Sequence, residues 1–233
     1  MEHFVNFGAK HQPILIIFPH AGAMPLQYIN WAKKYLADEF NLFIAKKITK
    51  ASCWDELCQL YSQELTQQLP DEPLLIFGHS MGGLISNQII QSFSPTQSKL
   101  VLSAIAPPDK NNLNRYQELA EIPSQGFVTK ILEFGGIPQE LAQQPELLMR
   151  YAEEIQADFK LLATIQNAED FKLNQDIYAV GSLQDRVAPI NELQKWKSYT
   201  STNFHLKIFS GNHFYLFDNP TQVKDYLLEL MIS

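Results

Sequence analysis

The sequence has few cysteines and no long apolar run. Its two cysteines, Cys53 and Cys58, fit neither a disulfide framework nor a metal knuckle. No run approaches the roughly 20 apolar residues that a membrane-spanning helix needs. The first residues also lack the basic start and apolar core of a secretion signal. These absences predict a soluble cytoplasmic protein with reduced thiols, and no metal or other cofactor is suggested.

Basic residues are scarce relative to acidic ones. The chain has 18 Lys and Arg against 25 Asp and Glu, a formal net charge of -7, and it contains no basic block. Like-charge repulsion therefore disfavours nucleic acid and anionic membranes as partners. With 233 residues, of which 45% are apolar, the chain can bury one sizeable core. We predict a single domain over residues 1–233 and expect a monomer.

Short apolar runs alternate with longer amphipathic segments. The runs lie at residues 13–18, 40–48, 73–78, 99–106, 177–182 and 205–211 and are typical of buried strands. The segments between and after them, at 25–40, 53–69, 84–93, 190–199 and 220–233, have the spacing of helices. This alternation predicts an α/β fold with a mostly parallel central sheet flanked by helices.

The region from about 107 to 174 breaks the alternation. It contains no convincing strand, but residues 125–134 and 145–165 have helical patterns. An insertion of this length in a compact fold is usually functional, and a helical one is suited to cover a site. We expect a helical lid insertion here.

The segment "LLIFGHSMGGLISNQII", residues 74–90, places Ser80 between glycines where a strand becomes a helix. Glycines on both sides of the serine allow a turn tight enough to expose its hydroxyl at the start of the helix. The amide of Met81 is then placed to donate to an oxyanion. A plain helix cap is the simpler interpretation of Ser80, but the strand before it and the helix after it favour a nucleophile.

A second oxyanion donor is expected from the loop after an early strand. "FPHAGA", residues 18–23, follows the apolar run at 13–18 and is small enough for its backbone to approach a ligand. We predict that the Ala21 amide is this donor. His20 is expected to shape the loop through hydrogen bonds.

A serine nucleophile needs a base, for which histidine is suited, and a carboxylate that orients the base. Of the six histidines, His213 in "FSGNHFYL" follows the last predicted strand, at the sheet edge where sites form. For the acid two positions remain open: Asp185 follows the strand before His213, and Asp109 follows the strand after the serine helix. We favour Asp185, because it lies in a loop at the end of a strand and Pro189 opens the next predicted helix.

"FPHAGA", "GHSMGG", "GSLQDRVAP" and "GNHFYL", together with the Gly-Gly-hydrophobic-Pro segment at 135–138, resemble the type II thioesterases of nonribosomal peptide and polyketide synthases. The resemblance covers nearly the whole chain. It implies an α/β-hydrolase fold and an editing enzyme that removes acyl groups from the phosphopantetheine arm of carrier proteins. It further implies Ser80 as nucleophile, His213 as base, Asp185 as acid, and the Ala21 and Met81 amides as oxyanion hole.

Two departures from the family pattern concern Gly22, which is followed by Ala23 instead of a second glycine, and Lys110, which stands where the family often has adjacent arginines. Because carriers are commonly acidic, docking is expected to be local, at lysines such as Lys33, Lys34 or Lys130 with apolar lid residues. A general carboxylesterase or lipase-like hydrolase is the alternative function. A non-catalytic acyl- or carrier-binding protein is a third.

Overall fold

A mostly parallel β-sheet runs through the centre of the protein. The computed structural model describes residues 1–69, 73–93, 98–135, 137, 139–166 and 171–232. Across these residues the sheet has the order β1-β3-β2-β4-β5-β6-β7, with β1 antiparallel to β3 and the other neighbours parallel. The predicted fold class is confirmed. The strands are β1 Phe4–Gly8, β2 Ile14–Phe18, β3 Asn41–Ala45, β4 Leu74–His79, β5 Lys99–Ser103, β6 Ile177–Ser182 and β7 Phe204–Phe209.

Helices cover both faces of the sheet. Three of them begin with a proline, which is favoured in the first helical turn because its missing N–H would have no partner there. Within the described ranges, every helix is too short or too polar to span a bilayer. The helices are α1 Pro25–Tyr35, α2 Trp54–Gln68, α3 Met81–Ser92, α4 Lys110–Glu121, α5 Ser124–Phe134, α6 Gln139–Ala142, α7 Pro145–Leu162, α8 Ile190–Gln194, α9 Tyr215–Asp218 and α10 Pro220–Ile232.

The central strands are apolar on both sides because each side faces a different helical layer. In β2, Ile16 and Phe18 belong to the core that includes side chains of α2 and α3, whereas Leu15 and Ile17 belong to the core shared with α1 and α10. Burial on both faces explains why these strands read as continuous apolar runs in the sequence. It also holds the carboxyl ends of the parallel strands rigidly along one edge.

Two elements differ from the sequence-based expectations. Strand β1 was not predicted: only Phe4 of its five residues is buried, so no apolar run marks it. It exists because it pairs along its whole length with β3 at the sheet edge. The segment at 190–199 was expected to be one helix, but α8 ends at Gln194 and a 3₁₀ helix follows over Lys195–Tyr199.

Helices α4 to α7, which we call the lid helices, lie between β5 and β6. Over the described part of this insertion no strand of the sheet occurs. Of the Gly-Gly-hydrophobic-Pro segment, residues 136 and 138 lie outside the described residues. The lid helices hold a small apolar core of their own, made of Leu119, Phe127, Ile131, Leu148, Ala152 and Ile155.

Candidate active site

Ser80 lies in the turn between β4 and α3. Its backbone has φ 55° and ψ -124°, in a region that residues other than glycine rarely adopt. A Cβ atom at Gly78 would overlap the carbonyl group of Gly82, and one at Gly82 would overlap the carbonyl oxygen of Phe18. The flanking glycines therefore allow the turn to lie directly against β2. Strain of this kind costs about 1–3 kcal/mol and clusters at functional sites.

His213 and Asp185 form a buried pair at the same edge of the sheet. His213 Nδ1 lies 2.9 Å from Asp185 Oδ2, and the two residues are only 4% and 5% exposed. The other carboxylate oxygen accepts hydrogen bonds from the amides of Val187, at 2.8 Å, and Ala188, at 3.0 Å. With Nδ1–H donating to this fixed carboxylate, His213 keeps its Nε2 lone pair free to accept a proton.

Asp109, the other acid considered from the sequence, is engaged elsewhere. It caps helix α4, where its Oδ1 accepts from the Asn112 amide at 2.9 Å, and its Oδ2 lies 3.0 Å from Lys195 Nζ. Partial burial opposes ionisation, but the Asn112 amide and Lys195 outweigh it and hold the pKa of Asp109 below its usual value. Among the described residues, the structure brings Asp185 to His213 and leaves Asp109 at the helix cap.

The loop that follows β2 carries Ala21. The Ala23 amide donates to the His20 carbonyl at 3.1 Å, which closes a tight turn around Ala21 and Gly22. Across from this loop, Met81 is the first residue of α3, and the first amides of a helix have no acceptor within the helix. Ala21, Ser80 and Met81 line one cavity.

Two cavities meet at Ser80 beneath the lid helices. The first is bounded by His20, His213 and Phe214 on the sheet side and by side chains of α5 and α7. The second extends along α4 toward Tyr116 and Arg115. Both are lined mainly by apolar side chains, as small-molecule sites usually are. The residues common to both are Ala21, Ser80, Phe134, Phe159 and Val187.

Two further histidines are buried near the site. His20 Nδ1 lies 2.8 Å from the Tyr28 hydroxyl, as expected for a residue that shapes its loop, and His79 Nδ1 lies 2.8 Å from Ser103 Oγ. Burial and the nearby His213 lower the pKa of His20 to about 3. Burial also lowers the pKa of His79 well below its usual value. Both side chains are therefore neutral at pH 7, and among the described residues neither has a carboxylate as hydrogen-bond partner.

The other histidines lie elsewhere. His205 stacks on Tyr178 in the sheet, at 4.6 Å between ring centroids, whereas His11 is exposed near the start of the chain and His3 lies edge-on to Tyr61. In the described ranges no group of three or more His, Cys, Asp or Glu side chains is placed to hold a metal ion.

The buried neutral histidines make stability depend on pH. Below about pH 6.5 the unfolded chain takes up protons that folded His20 and His79 do not bind, so the free energy of unfolding falls as the pH falls. Between about pH 7.5 and pH 5.5 we expect each of the two histidines to lower the free energy of unfolding by about 1 kcal/mol. Urea unfolding of wild type and His20→Gln at both pH values measures this. The variant should lose about 1 kcal/mol less than wild type over this interval, and an equal loss would contradict the expectation.

Asp158 and Lys47 were not among the residues predicted from the sequence. Asp158, on α7, accepts a hydrogen bond from the Gly22 amide at 2.7 Å and lies 3.2 Å from Lys47 Nζ. One signal was available: along α7 the buried apolar side chains fall on one stripe, and Asp158 lies within it. The buried apolar residues of that stripe are Leu148, Ala152, Ile155 and Leu162.

Comparison with known proteins places this geometry in a family. The model of the thioesterase domain family matches residues 13–229. The chain is 23% identical over 225 residues to phenyloxazoline synthase MbtB of Mycobacterium tuberculosis, covering 91% of this chain but only 16% of that protein. It is 24% identical over 232 residues to the human medium-chain S-acyl fatty acid synthase thioesterase, covering 93% of this chain and 86% of that protein.

Among solved structures, the type II thioesterase BorB from the borrelidin biosynthetic cluster has the same fold. Its TM-score is 0.81 at 21% sequence identity, over 98% of this chain and 97% of that one. The resemblance derived from the sequence motifs is thus confirmed at the level of family and fold. Because the family model spans residues 13–229 and not merely a local motif, the chain belongs to the thioesterase domain family.

Proposed function

We propose that this enzyme removes acyl groups from the phosphopantetheine arm of carrier proteins in nonribosomal peptide or polyketide synthesis, as an editing thioesterase. The observation that carries the proposal is the buried His213–Asp185 pair, of which His213 lines an apolar cavity under the lid helices together with the strained Ser80. The fold shared with a type II thioesterase of a biosynthetic cluster supports it.

The roles follow from the positions of the groups. Ser80 is the nucleophile, His213 Nε2 takes its proton, and Asp185 holds the imidazole in the required tautomer. The amides of Ala21 and Met81 donate to the oxygen that becomes negatively charged in the tetrahedral intermediate. The lid helices exclude water from the apolar walls, which strengthens these electrostatic interactions.

The reaction has two halves. In the first, Ser80 Oγ forms a bond to the thioester carbonyl carbon, the carbon–sulfur bond breaks, and the proton held by His213 passes to the leaving thiolate. In the second, His213 takes a proton from water, the hydroxide attacks the acyl-serine, and the same proton returns to Ser80 as the acid is released. No redox or metal chemistry is required, since a thiolate is a good leaving group.

Each of the two cavities is suited to a different part of the substrate. The leaving sulfur must depart on the side of the group that protonates it, and His213 lines the first cavity but not the second. We therefore assign the first cavity to the pantetheine arm and the second, along α4, to the acyl group. Phe134 and Phe159, which line both, then bracket the thioester itself.

The net charge of -7 does not favour an acidic carrier, so docking must depend on local contacts. Of the three lysines considered from the sequence, only Lys130 lies on a lid helix. Its Nζ lies 2.9 Å from a carboxylate oxygen of Glu133. Leu132, on the same helix, is exposed. Lys33 and Lys34 lie in the last turn of α1, away from the end of that helix that adjoins Ala23. We assign the carrier contact to the α5 surface.

The test compares three substrates with the same acyl group: the acyl-loaded carrier protein, the free acyl-pantetheine thioester and an ethyl ester. We expect kcat/KM on the carrier to exceed that on free pantetheine by at least about 10-fold, equivalent to about 1.4 kcal/mol of protein contact. Loss of the acyl group from the carrier is followed by intact mass spectrometry, with Ser80→Ala as the blank.

Equal kcat/KM values on the three substrates would contradict the carrier assignment and favour the general esterase. Stoichiometric acyl binding without release would instead favour a non-catalytic acyl-binding protein. Chain length is varied in the same assay, since the second cavity sets the acyl size.

A further inference from the structure

The loop that carries Ala21 is tied to a lid helix by one buried hydrogen bond. The Gly22 amide donates to Asp158 Oδ2 at 2.7 Å, across 136 positions of the chain. Asp158 lies on α7 and is 6% exposed. A carboxylate is costly to bury, so its retention within an otherwise apolar stripe requires compensating partners.

Each oxygen of Asp158 has its own partner. Oδ2 accepts from Gly22, and Oδ1 lies 3.2 Å from Lys47 Nζ, which also contacts the exposed Glu154 at 2.8 Å. Burial raises the pKa of Asp158, and Lys47 and the Gly22 amide oppose this increase. Lys47 therefore compensates the negative charge of the carboxylate through Oδ1, while Oδ2 accepts the hydrogen bond from the loop.

The loop approaches α7 too closely for a side chain at Gly22. This residue has φ +71°, and a Cβ atom there would overlap Ile155, which precedes Asp158 by one helical turn. Fixing the Gly22 N–H also fixes the plane of the peptide that contains the Ala21 carbonyl, and the peptide that carries the Ala21 N–H adjoins this plane at the Ala21 Cα. The turn closed by the Ala23 amide limits the loop from the other side. Asp158 thus constrains the conformation of Ala21 without touching it.

The loop is held by contacts of two kinds. On the sheet side, His20 is buried and its Nδ1 lies 2.8 Å from the Tyr28 hydroxyl. Toward the lid helices, the hydrogen bond from the Gly22 amide to Asp158 links the loop directly to α7. A cavity lined by Pro19 and Ala23 of the loop, and by Lys47 and Asp158, lies beside this bond.

We propose that Asp158 is a positioning residue that sets the oxyanion hole from the lid, holding the Ala21 amide in its catalytic orientation through Gly22. Withdrawal of α7 then dismantles the hole, so that the site is competent only with the lid helix in place. The inference rests on the proposed function in one respect, the role of the Ala21 amide as an oxyanion donor.

The test measures hydrolysis of an acyl N-acetylcysteamine thioester, which needs no carrier, by Asp158→Ala and Asp158→Asn. Asparagine can still accept from the Gly22 amide, whereas alanine cannot. We expect Asp158→Ala to lower kcat by about 10- to 100-fold, less than outright removal of a donor, with little change in KM. Asp158→Asn should stay within about 3-fold of wild type.

A second readout separates positioning from general structure. An alkyl trifluoromethyl ketone forms a hemiketal oxyanion with the nucleophile, and its affinity should fall in Asp158→Ala by the same factor as kcat. The affinity of the matching thioether, which has no oxyanion, should not change. Glu154→Gln, which removes another carboxylate from α7 that contacts Lys47, is the matched control and should stay within about 2-fold of wild type.

Thermal unfolding shows that each variant is folded, and Asp158→Ser, too short to reach Gly22, replaces Asp158→Ala if that variant does not fold. Wild-type kcat and ketone affinity in folded Asp158→Ala, or in its serine replacement, would overturn the proposal. Equal losses in Asp158→Asn and Asp158→Ala would also overturn it, since the charge and not the acceptor would then matter. Failure of the carrier assignment would appear only in the carrier assay and would leave this comparison intact.

Discussion

Replacing Ser80 by alanine is expected to lower kcat on an acyl thioester by about 10⁴-fold or more. Alanine removes the only atom that the proposed mechanism uses to form the acyl-enzyme, and His213 then has no hydroxyl to deprotonate. The measurement is single-turnover release of free thiol, with intact mass spectrometry of the enzyme to detect an acyl adduct on wild type alone.

Binding provides the control for Ser80→Ala. The cavity walls and the His213–Asp185 pair do not depend on the serine hydroxyl, so a non-hydrolysable thioether analogue should bind the variant about as tightly as wild type. A variant that retained more than about one hundredth of wild-type kcat would exclude Ser80 as the nucleophile.

Asp185→Asn is expected to lower kcat by about 10²- to 10⁴-fold. The asparagine side chain either points its NH₂ group at His213 Nδ1 or accepts from Nδ1–H more weakly than the carboxylate does. His213 then loses the tautomer that exposes a basic Nε2. The two backbone amides that now bond Asp185 Oδ1 would keep the side chain in place. The loss should therefore appear in kcat and its pH profile, with the fold intact.

Asp109→Asn is the matched control, because it makes the same chemical change at the other candidate acid. Asparagine caps helices about as well as aspartate, so α4 should persist and only the contact with Lys195 should be lost. We expect kcat within about 3-fold of wild type. A large loss of kcat in Asp109→Asn, together with nearly wild-type kcat in Asp185→Asn, would reverse the assignment of the acid.

Much of this architecture could be predicted because its determinants are local. Six strands contain apolar runs, and β2 to β6 do so because they are buried on both faces. The turn at Ser80 is marked by Gly78 and Gly82, because side chains there would overlap neighbouring carbonyl groups. Strand β1 was not predicted because its sequence has no apolar run and its formation depends on pairing with β3.

The choice between Asp109 and Asp185 could not be made from local sequence alone. Both follow a strand of the sheet, and both have backbone amides to accept from. What separates them is the position of His213 in space, which only the folded chain defines. The contact between Gly22 and Asp158 is even harder to predict from the sequence, because it depends on how the lid helices pack over the loop after β2.

The strained backbone of Ser80 affects stability and catalysis in opposite ways. At φ 55° a glycine would be relaxed where serine is strained. Substitution by glycine would therefore favour the native state while removing the hydroxyl group. At this one position, selection for a sturdier protein and selection for a working enzyme act in opposite directions, so the serine would be retained only while its activity is under selection.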